Sequence, residues 1–363
     1  MYTPSGRHGT IRSTQNFYDP KEVFMKRLLA GLLIASVLVA PLVAAGKTDT
    51  ASKDTASAEY PSMVLKLGHI GDPGHPYSKG ADYFAELISK KSNGKIIIKN
   101  YHSSQLGDQK TLIEGLVYGT IDMALVGTAA LGQFQPQISL FDLPFLFEDL
   151  DHAYKSLDTV GMDLGKPLEA KGIKLLGYME NGVRHMTNNV RPIKSPADVK
   201  GLKIRVQTNK IHVAMIKAMG GSPTPMSLGE LYTAMQQGAV DGQENPAAHI
   251  FTQRYYEVNK YASRTAHCYA PEPVLISMVK WNQFPQNVKD LFVSCANEAI
   301  AWQRKLSSDN DENLWNQIKA TGKMEVIEVD RKPFMAATAS LYEEFADSVG
   351  RDNLAKVKAL AKK

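Results

Sequence analysis

The residues best equipped for chemistry lie in three short segments in the middle of the chain. NGVRHMTNN (residues 181–189) holds Arg184 in a polar, glycine-containing strand or turn. GLKIRVQ (201–207) puts Arg205 on the polar face of a strand, and AVDGQENP (239–246) sets Asn245 before Pro246 in a loop. Guanidinium matches a carboxylate in geometry and keeps its charge, and an amide adds a neutral donor. Taken singly, each residue also has an ordinary reading: two surface arginines, and an asparagine capping a helix that opens at Pro246. Bond-breaking machinery is not visible. There is no GxSxG, HExxH, CxxC or GxxxxGK[ST] motif, and GHIGDPG (68–74) does not match a dinucleotide fingerprint. Asp309, Asp311 and Asn313 are spaced like part of a calcium loop, but Leu314 stands where its glycine is needed, so a solvated helix face is expected. His69, His75 and His102 lack zinc-ligand spacing and read as polar loop residues.

The elements that must position these residues alternate between strand and helix. Val64, Leu65, Leu67 and Ile70 predict an opening strand. A helix follows from about Tyr77 to Lys91, stopped at Asn93-Gly94, and then a strand at KIIIKN (95–100). Such β-α-β order implies an α/β fold with mainly parallel sheets flanked by helices. LIEGLVYGTIDMALVG (112–127) and LYTAMQQGAVDGQENP (231–246) repeat one pattern: an amphipathic helix, a terminal glycine, then a strand entered through Asp122 or Asp241. The repeat predicts two lobes of like construction, with Ser227 and Glu230 spaced as a capping box for the second helix. Leu202, Ile204 and Val206 point to one face of a strand, and Lys203, Arg205 and Gln207 to the other. A long helix opening at Pro285, with Val288, Leu291, Phe292, Cys295, Ala299, Trp302 and Leu306 on one side, could brace both lobes.

Composition sets outer bounds. The chain has 363 residues, 44% hydrophobic and 22% charged, enough for one large or two ordinary packed domains. Its net charge is +5, but residues 1–45 hold five basic and two acidic side chains, a net of +3, leaving +2 for the rest. No basic stripe remains to argue for nucleic acid. Met25-Lys26-Arg27 and the apolar run to Val43-Ala44-Ala45 have the form of a cleavable secretory signal behind an N-terminal extension. Residues 46–62 read as a flexible leader. Cys268 and Cys295 could pair in an oxidising compartment, or be two small buried thiols, the reading favoured here.

Several motifs in order carry a resemblance: SSQLGDQK (103–110), GTID ending at Asp122, LPFLF (143–147), NGVRHMTN, GLKIRVQ, GGSPTPM (220–226) and AVDGQENP. From Met63 to about Val349 the chain resembles the solute-binding component of TRAP transporters, the tripartite ATP-independent periplasmic carriers. That resemblance implies a two-lobed periplasmic solute-binding fold with a hinge. Its expected lobes are residues 63–181 with 271–305 and residues 182–270 with 306–363. It also implies that Arg205 bridges a ligand carboxylate, that Arg184 contacts the ligand, and that Asn245 helps hold the same end. His75 and Gln109 sit where uronate-binding members place polar contacts, and Thr128 and Gln207 are positioned to line the cleft. Sialic-acid-binding members carry an acidic residue, an arginine and an aromatic residue where this chain has Gly127, Ala130 and Leu228, which argues against that ligand. A four-carbon dicarboxylate or a sugar acid such as a uronate fits best, followed by keto acids and aromatic acids. The expected partners are the carboxylate and membrane-embedded permease subunits. No cofactor or metal is expected, and the protein should be a monomer. Two rival readings are a ligand-reporting subunit of a sensor kinase and a periplasmic enzyme acting on an organic acid.

Overall fold

The structure, a computed structural model, describes residues 59–361, which lie in one compact unit. The N-terminal extension, the signal-like run and most of the leader fall outside the described residues. Among the described residues no helix is long and apolar enough to cross a membrane.

Strand β1 (Met63–Gly68) buries Leu65 and Leu67 and leaves Val64 exposed, the alternation of a half-covered strand. Helix α1 (Pro76–Lys91) starts with proline in its first turn, where the missing N–H costs nothing. It stops before Asn93 and Gly94, both in the left-handed region. Its inner face packs Ala81, Phe84 and Ile88 against Phe292, Cys295 and Ala299, each such apolar side chain contributing about 1.5–3 kcal/mol for the larger ones. Strand β2 (Ile96–Tyr101) then pairs in parallel with β1. Helix α2 (Gln109–Tyr118) is capped by Asp108 and ends on Gly119 at φ 73°, before β3 (Met123–Leu125).

Two long strands, β4 (Ile173–Asn188) and, later in the chain, the antiparallel Tyr261–Ser277, run through the middle of the sheet. Between them come β5 (Lys203–Val206), β6 (Ser222–Pro225) and β7 (Gly242–Pro246). The second long strand is therefore β8, and β9 (Glu325–Glu328) pairs alongside it. The order is β2-β1-β3-β8-β4-β7-β5-β6. The outer pairs β1–β2, β1–β3, β5–β6, β5–β7 and β8–β9 are parallel; β4 and β8 supply the antiparallel ones, β4–β8, β4–β7 and β3–β8. The β4–β8 register slips three times, at Leu175/Gly177, Glu180/Gly182 and Arg184/Met186. At Gly182 φ is 128°, and a Cβ there would lie 2.9 Å from Cβ of Pro246, so only glycine lets β7 approach so closely.

The long helix runs Gln286–Ala320. Its first half buries Val288, Phe292, Cys295 and Ala299 as expected, but Trp302 is 39% exposed and rests on Tyr83 at 4.7 Å. The inward side there is polar for a reason. Gln303 bonds both Glu180 N (2.7 Å) and Glu180 O (2.8 Å), and Arg304 donates to Tyr178 O (3.0 Å) and grips Asp158. The helix thus satisfies β4 backbone groups that the bulge releases. Asp309, Asp311 and Asn313 all lie within this helix, and no metal-binding cluster occurs among the described residues. Ser227 precedes the helix Leu228–Gln236, but its side chain makes no capping bond, so the capping box does not form. Cys268 and Cys295 are both buried and unpaired with each other.

Candidate functional site

Arg205 lies on β5, between β7 and β6. Leu202, Ile204 and Val206 turn into the core as the alternation predicts, yet the opposite face is not solvated at Arg205, which is only 3% exposed. Its Nε and Nη2 donate to Met226 O at 3.0 and 2.8 Å. Nη1 is buried with no hydrogen-bond partner among the described residues. Burial pulls the Arg205 pKa down to about 10, against weaker upward pulls from Tyr255 and Glu244. The cationic group thus lacks a contacting carboxylate among the described residues, and it borders a cavity of about 150 Å³ shared with Gln109, Gln207, Ser104 and Leu228.

Arg184 stands differently. On β4 opposite β7, it is 1% exposed and already paired: Nε and Nη2 reach the Glu244 carboxylate at 2.5 and 2.9 Å, and Nη2 also donates to the Glu244 carbonyl. Burial alone would raise Glu244, but Arg184 and then His212 outweigh it and hold the carboxyl well below its usual range. The network continues through His267, 3.3 Å from Glu244, and through His212, 3.5 Å from Glu244 and 3.6 Å from Asp142. Thr128 and Asn209 both donate to Asp142, at 2.8 and 3.2 Å.

A second group of buried polar side chains gathers nearby. His75 caps α1, with Nδ1 accepting from Tyr77 N at 3.3 Å, which places the proton of the neutral ring on Nε2. Its ring lies 3.9 Å from Tyr77 and 4.3 Å from His249. Burial, then His249, keeps His75 neutral; burial, then Arg184 and Arg205, takes His249 down to about 3. Across from them Asn181 Nδ2 lies 3.4 Å from Glu272 Oε2, and burial lifts Glu272 to about 8. Gly127 links this group to the cavity. A Cβ on it would lie 3.3 Å from Gln109 Oε1, 3.5 Å from Glu272 Oε2 and 3.8 Å from Gln207 Oε1.

The seven residues singled out from sequence therefore occupy different stations. Arg205, Gln109 and Gln207 share the cavity; Gln109 is oriented by accepting from Gly127 N at 2.7 Å. His75 is fully buried with Nε2 unpartnered among the described residues, so neither it nor the equally buried His69 is an ordinary loop residue. Asn245 closes a strand rather than lying in a loop, does not cap the next helix, and donates to Gln243 Oε1 at 2.5 Å. Thr128 is turned away, its hydroxyl spent on Asp142. Sequence reasoning passed over Asn181, Glu244, His249, Tyr255 and Glu272. Two left a trace: Glu244 is the acidic member of QENP, and Glu272 is the lone charge in the run YAPEPVLIS.

The family model for bacterial extracellular solute-binding protein, family 7 (DctP), matches residues 67–348. The 2,3-diketo-L-gulonate-binding periplasmic protein of Escherichia coli is 38% identical over 277 residues, covering 76% of this chain and 84% of that protein. The C4-dicarboxylate-binding periplasmic protein DctP of Rhodobacter capsulatus is 32% identical over 302 residues, covering 82% and 90%. A TRAP periplasmic solute-binding protein from Polaromonas sp. JS666, solved with D-erythronate, superposes with a TM-score of 0.81 at 38% identity, covering 83% of this chain and all of that one. With a mixed α/β sheet and a family match across most of its length, this chain belongs to the DctP family, the periplasmic solute-binding proteins of TRAP transporters, which are not enzymes.

Proposed function

We propose that this protein captures a small organic acid between two lobes and presents it to TRAP permease subunits in the membrane. One observation carries the reading: a buried guanidinium nitrogen, Arg205 Nη1, has no partner among the described residues and borders a cavity. A bidentate carboxylate would supply the missing counter-charge. The acids named for the relatives, diketogulonate, C4-dicarboxylates and erythronate, support a carboxylate of this size. Arg205 makes the carboxylate bridge in this proposal, with Gln109, Gln207 and His75 beside it; Arg184 and Asn245 shape the same wall.

The lobes comprise residues 63–181 with 271–305 and residues 182–270 with 306–363. The register slip between Glu180/Pro271 and Gly182/Ala270 falls at that junction and supports a bending point there. An uncompensated buried arginine disfavours the closed form without ligand, so the carboxylate makes closure favourable. The exported chain begins near Gly46, after cleavage of the signal-like run, and acts as a monomer. A thermal-shift screen of the exported protein against mono- and dicarboxylic acids tests the reading, because a tight ligand raises the melting temperature by mass action. No response to any acid would sink it.

A further inference from the structure

Building on that reading, we infer that the site is made for one carboxylate only, and that the rest of the ligand is uncharged and hydroxylated, as in an aldonic or related sugar acid. Charge counting carries the inference. Two arginines are buried here, but Arg184 is consumed by both oxygens of Glu244, a pairing closed within the protein. That leaves Arg205 as the single buried guanidinium of the site without a carboxylate at contact among the described residues.

The surroundings offer a second ligand carboxylate no unpaired cation among the described residues. Beyond Arg205 lie His75, Tyr77, Asn181, His249, Tyr255 and Glu272, each buried and each with one polar atom lacking a hydrogen-bond partner among the described residues. The unpartnered atoms are His75 Nε2, Tyr77 Oη, Asn181 Oδ1, His249 Nδ1, Tyr255 Oη and Glu272 Oε1. They mix donors with acceptors, and a hydroxyl, which both donates and accepts, can satisfy either kind. A carboxylate can only accept. It would face the lone pairs of Asn181 Oδ1, and its charge would meet only neutral donors, such as His75 Nε2, the tyrosine hydroxyls and the protonated Glu272 carboxyl, with no second unpaired cation among the described residues. Burial and then His249 hold His75 neutral, and burial with Arg184 and Arg205 holds His249 neutral, so they do not replace one. A ligand of matching length without hydroxyls would leave the same six atoms buried and unpaired, which a site built for hydrogen bonds rejects strongly.

Calorimetry at pH 7 on the exported protein tests this with length-matched acids: erythronate, succinate and butyrate at four carbons, gluconate, adipate and hexanoate at six. Within at least one length the hydroxylated monoacid should bind about 30-fold or more tightly than both the dicarboxylate and the plain monoacid, the ratio expected for leaving buried polar or charged groups unpaired. A dicarboxylate or plain monoacid that binds as tightly at both lengths overturns the inference. In that case loss of its binding in Arg205→Ala would still uphold carboxylate capture. If none of the six binds and the wider acid screen is also silent, capture of organic acids fails, and this inference with it.

Discussion

Arg205→Ala is the perturbation that separates a ligand-bridging arginine from a structural one. In the structure the guanidinium is held by two hydrogen bonds to Met226 O, and Nη1 has no partner among the described residues. Its fall from 12.5 to about 10 corresponds to roughly 3 kcal/mol of unfavourable charge burial at neutral pH. Losing that burden offsets the lost bonds to Met226, so the ligand-free variant should melt within a few degrees of wild type or above it. With ligand the balance reverses. The carboxylate enters a buried site with no cation at contact, and truncating one partner of such a pair costs about 2–5 kcal/mol. At about 1.4 kcal/mol per decade, affinity should fall roughly 30-fold to several thousand-fold. Arg205→Lys should recover only part of this, since an ammonium keeps the charge but lacks the planar fork. Calorimetry with the tightest acid of the screen, erythronate as first probe, beside ligand-free melting curves, gives both numbers. Wild-type affinity in a folded Arg205→Ala protein would refute the reasoning. So would a large drop in ligand-free stability, because the arginine would then be holding the fold rather than awaiting a ligand.

Arg184→Ala should behave in the opposite way: it strands Glu244 in the interior and should cost about 3–5 kcal/mol in urea unfolding, whereas the double change Arg184→Met with Glu244→Leu should recover much of it. A wild-type unfolding curve for Arg184→Ala would show that the pair is not closed. Glu272 gives a pH signature. Its carboxyl keeps its proton to about pH 8 when folded but releases it near 4.5 when exposed, so it costs nothing below about pH 4.5 and destabilises increasingly up to about pH 8. Between pH 5 and 8 the urea midpoint of Glu272→Gln should therefore fall less than that of wild type; parallel profiles would contradict the burial assigned to it. Saturating ligand should reduce the radius of gyration in small-angle scattering, and an unchanged radius would count against a hinged trap. N-terminal sequencing of exported protein should begin near Gly46, and recovery of the chain in the membrane fraction with residues 28–45 intact would oppose cleavage.

The parts of this fold set by local rules were legible in the sequence. Alternation placed Leu202, Ile204 and Val206 in the core, and the helix-ending glycines Gly119 and Gly238 both take positive φ. What stayed hidden was pairing across distance. Arg184 looked like Arg205 in sequence, each in a short polar segment, and nothing local revealed that Glu244, sixty residues away, is set within reach of Arg184 by the β4–β7 register. Thr128 was misplaced for a related reason: its partner Asp142 comes from a turn of 3-10 helix whose position depends on tertiary packing. Trp302 follows the apolar stripe of its helix, but the stripe becomes polar there because the β4 bulge needs hydrogen-bond partners. Helical periodicity cannot show a need that arises on another strand.

The same distance effect bears on why the proposed anion site contains a buried glutamate. With Glu244 absent, Arg184 and Arg205 would be two like charges in one buried region, and Arg184 already contributes to lowering Arg205. Glu244 cancels one of them and ties the cancelled pair to β4, β7, His212 and His267. The remaining charge on Arg205 is then presented from a wall whose other charges are already matched. In the proposed mode of binding, affinity and selectivity come from the same arrangement: one cation left unpaired attracts one carboxylate, and the closed Arg184–Glu244 pair removes the cation that a second carboxylate would need. Glu244→Gln should accordingly loosen selectivity before it abolishes binding, by freeing Arg184 to accept a second charge. The ratio of dicarboxylate to monoacid affinity, measured by calorimetry on the folded variant, should rise. A ratio that stays fixed while both affinities fall would mean that Glu244 only supports the fold.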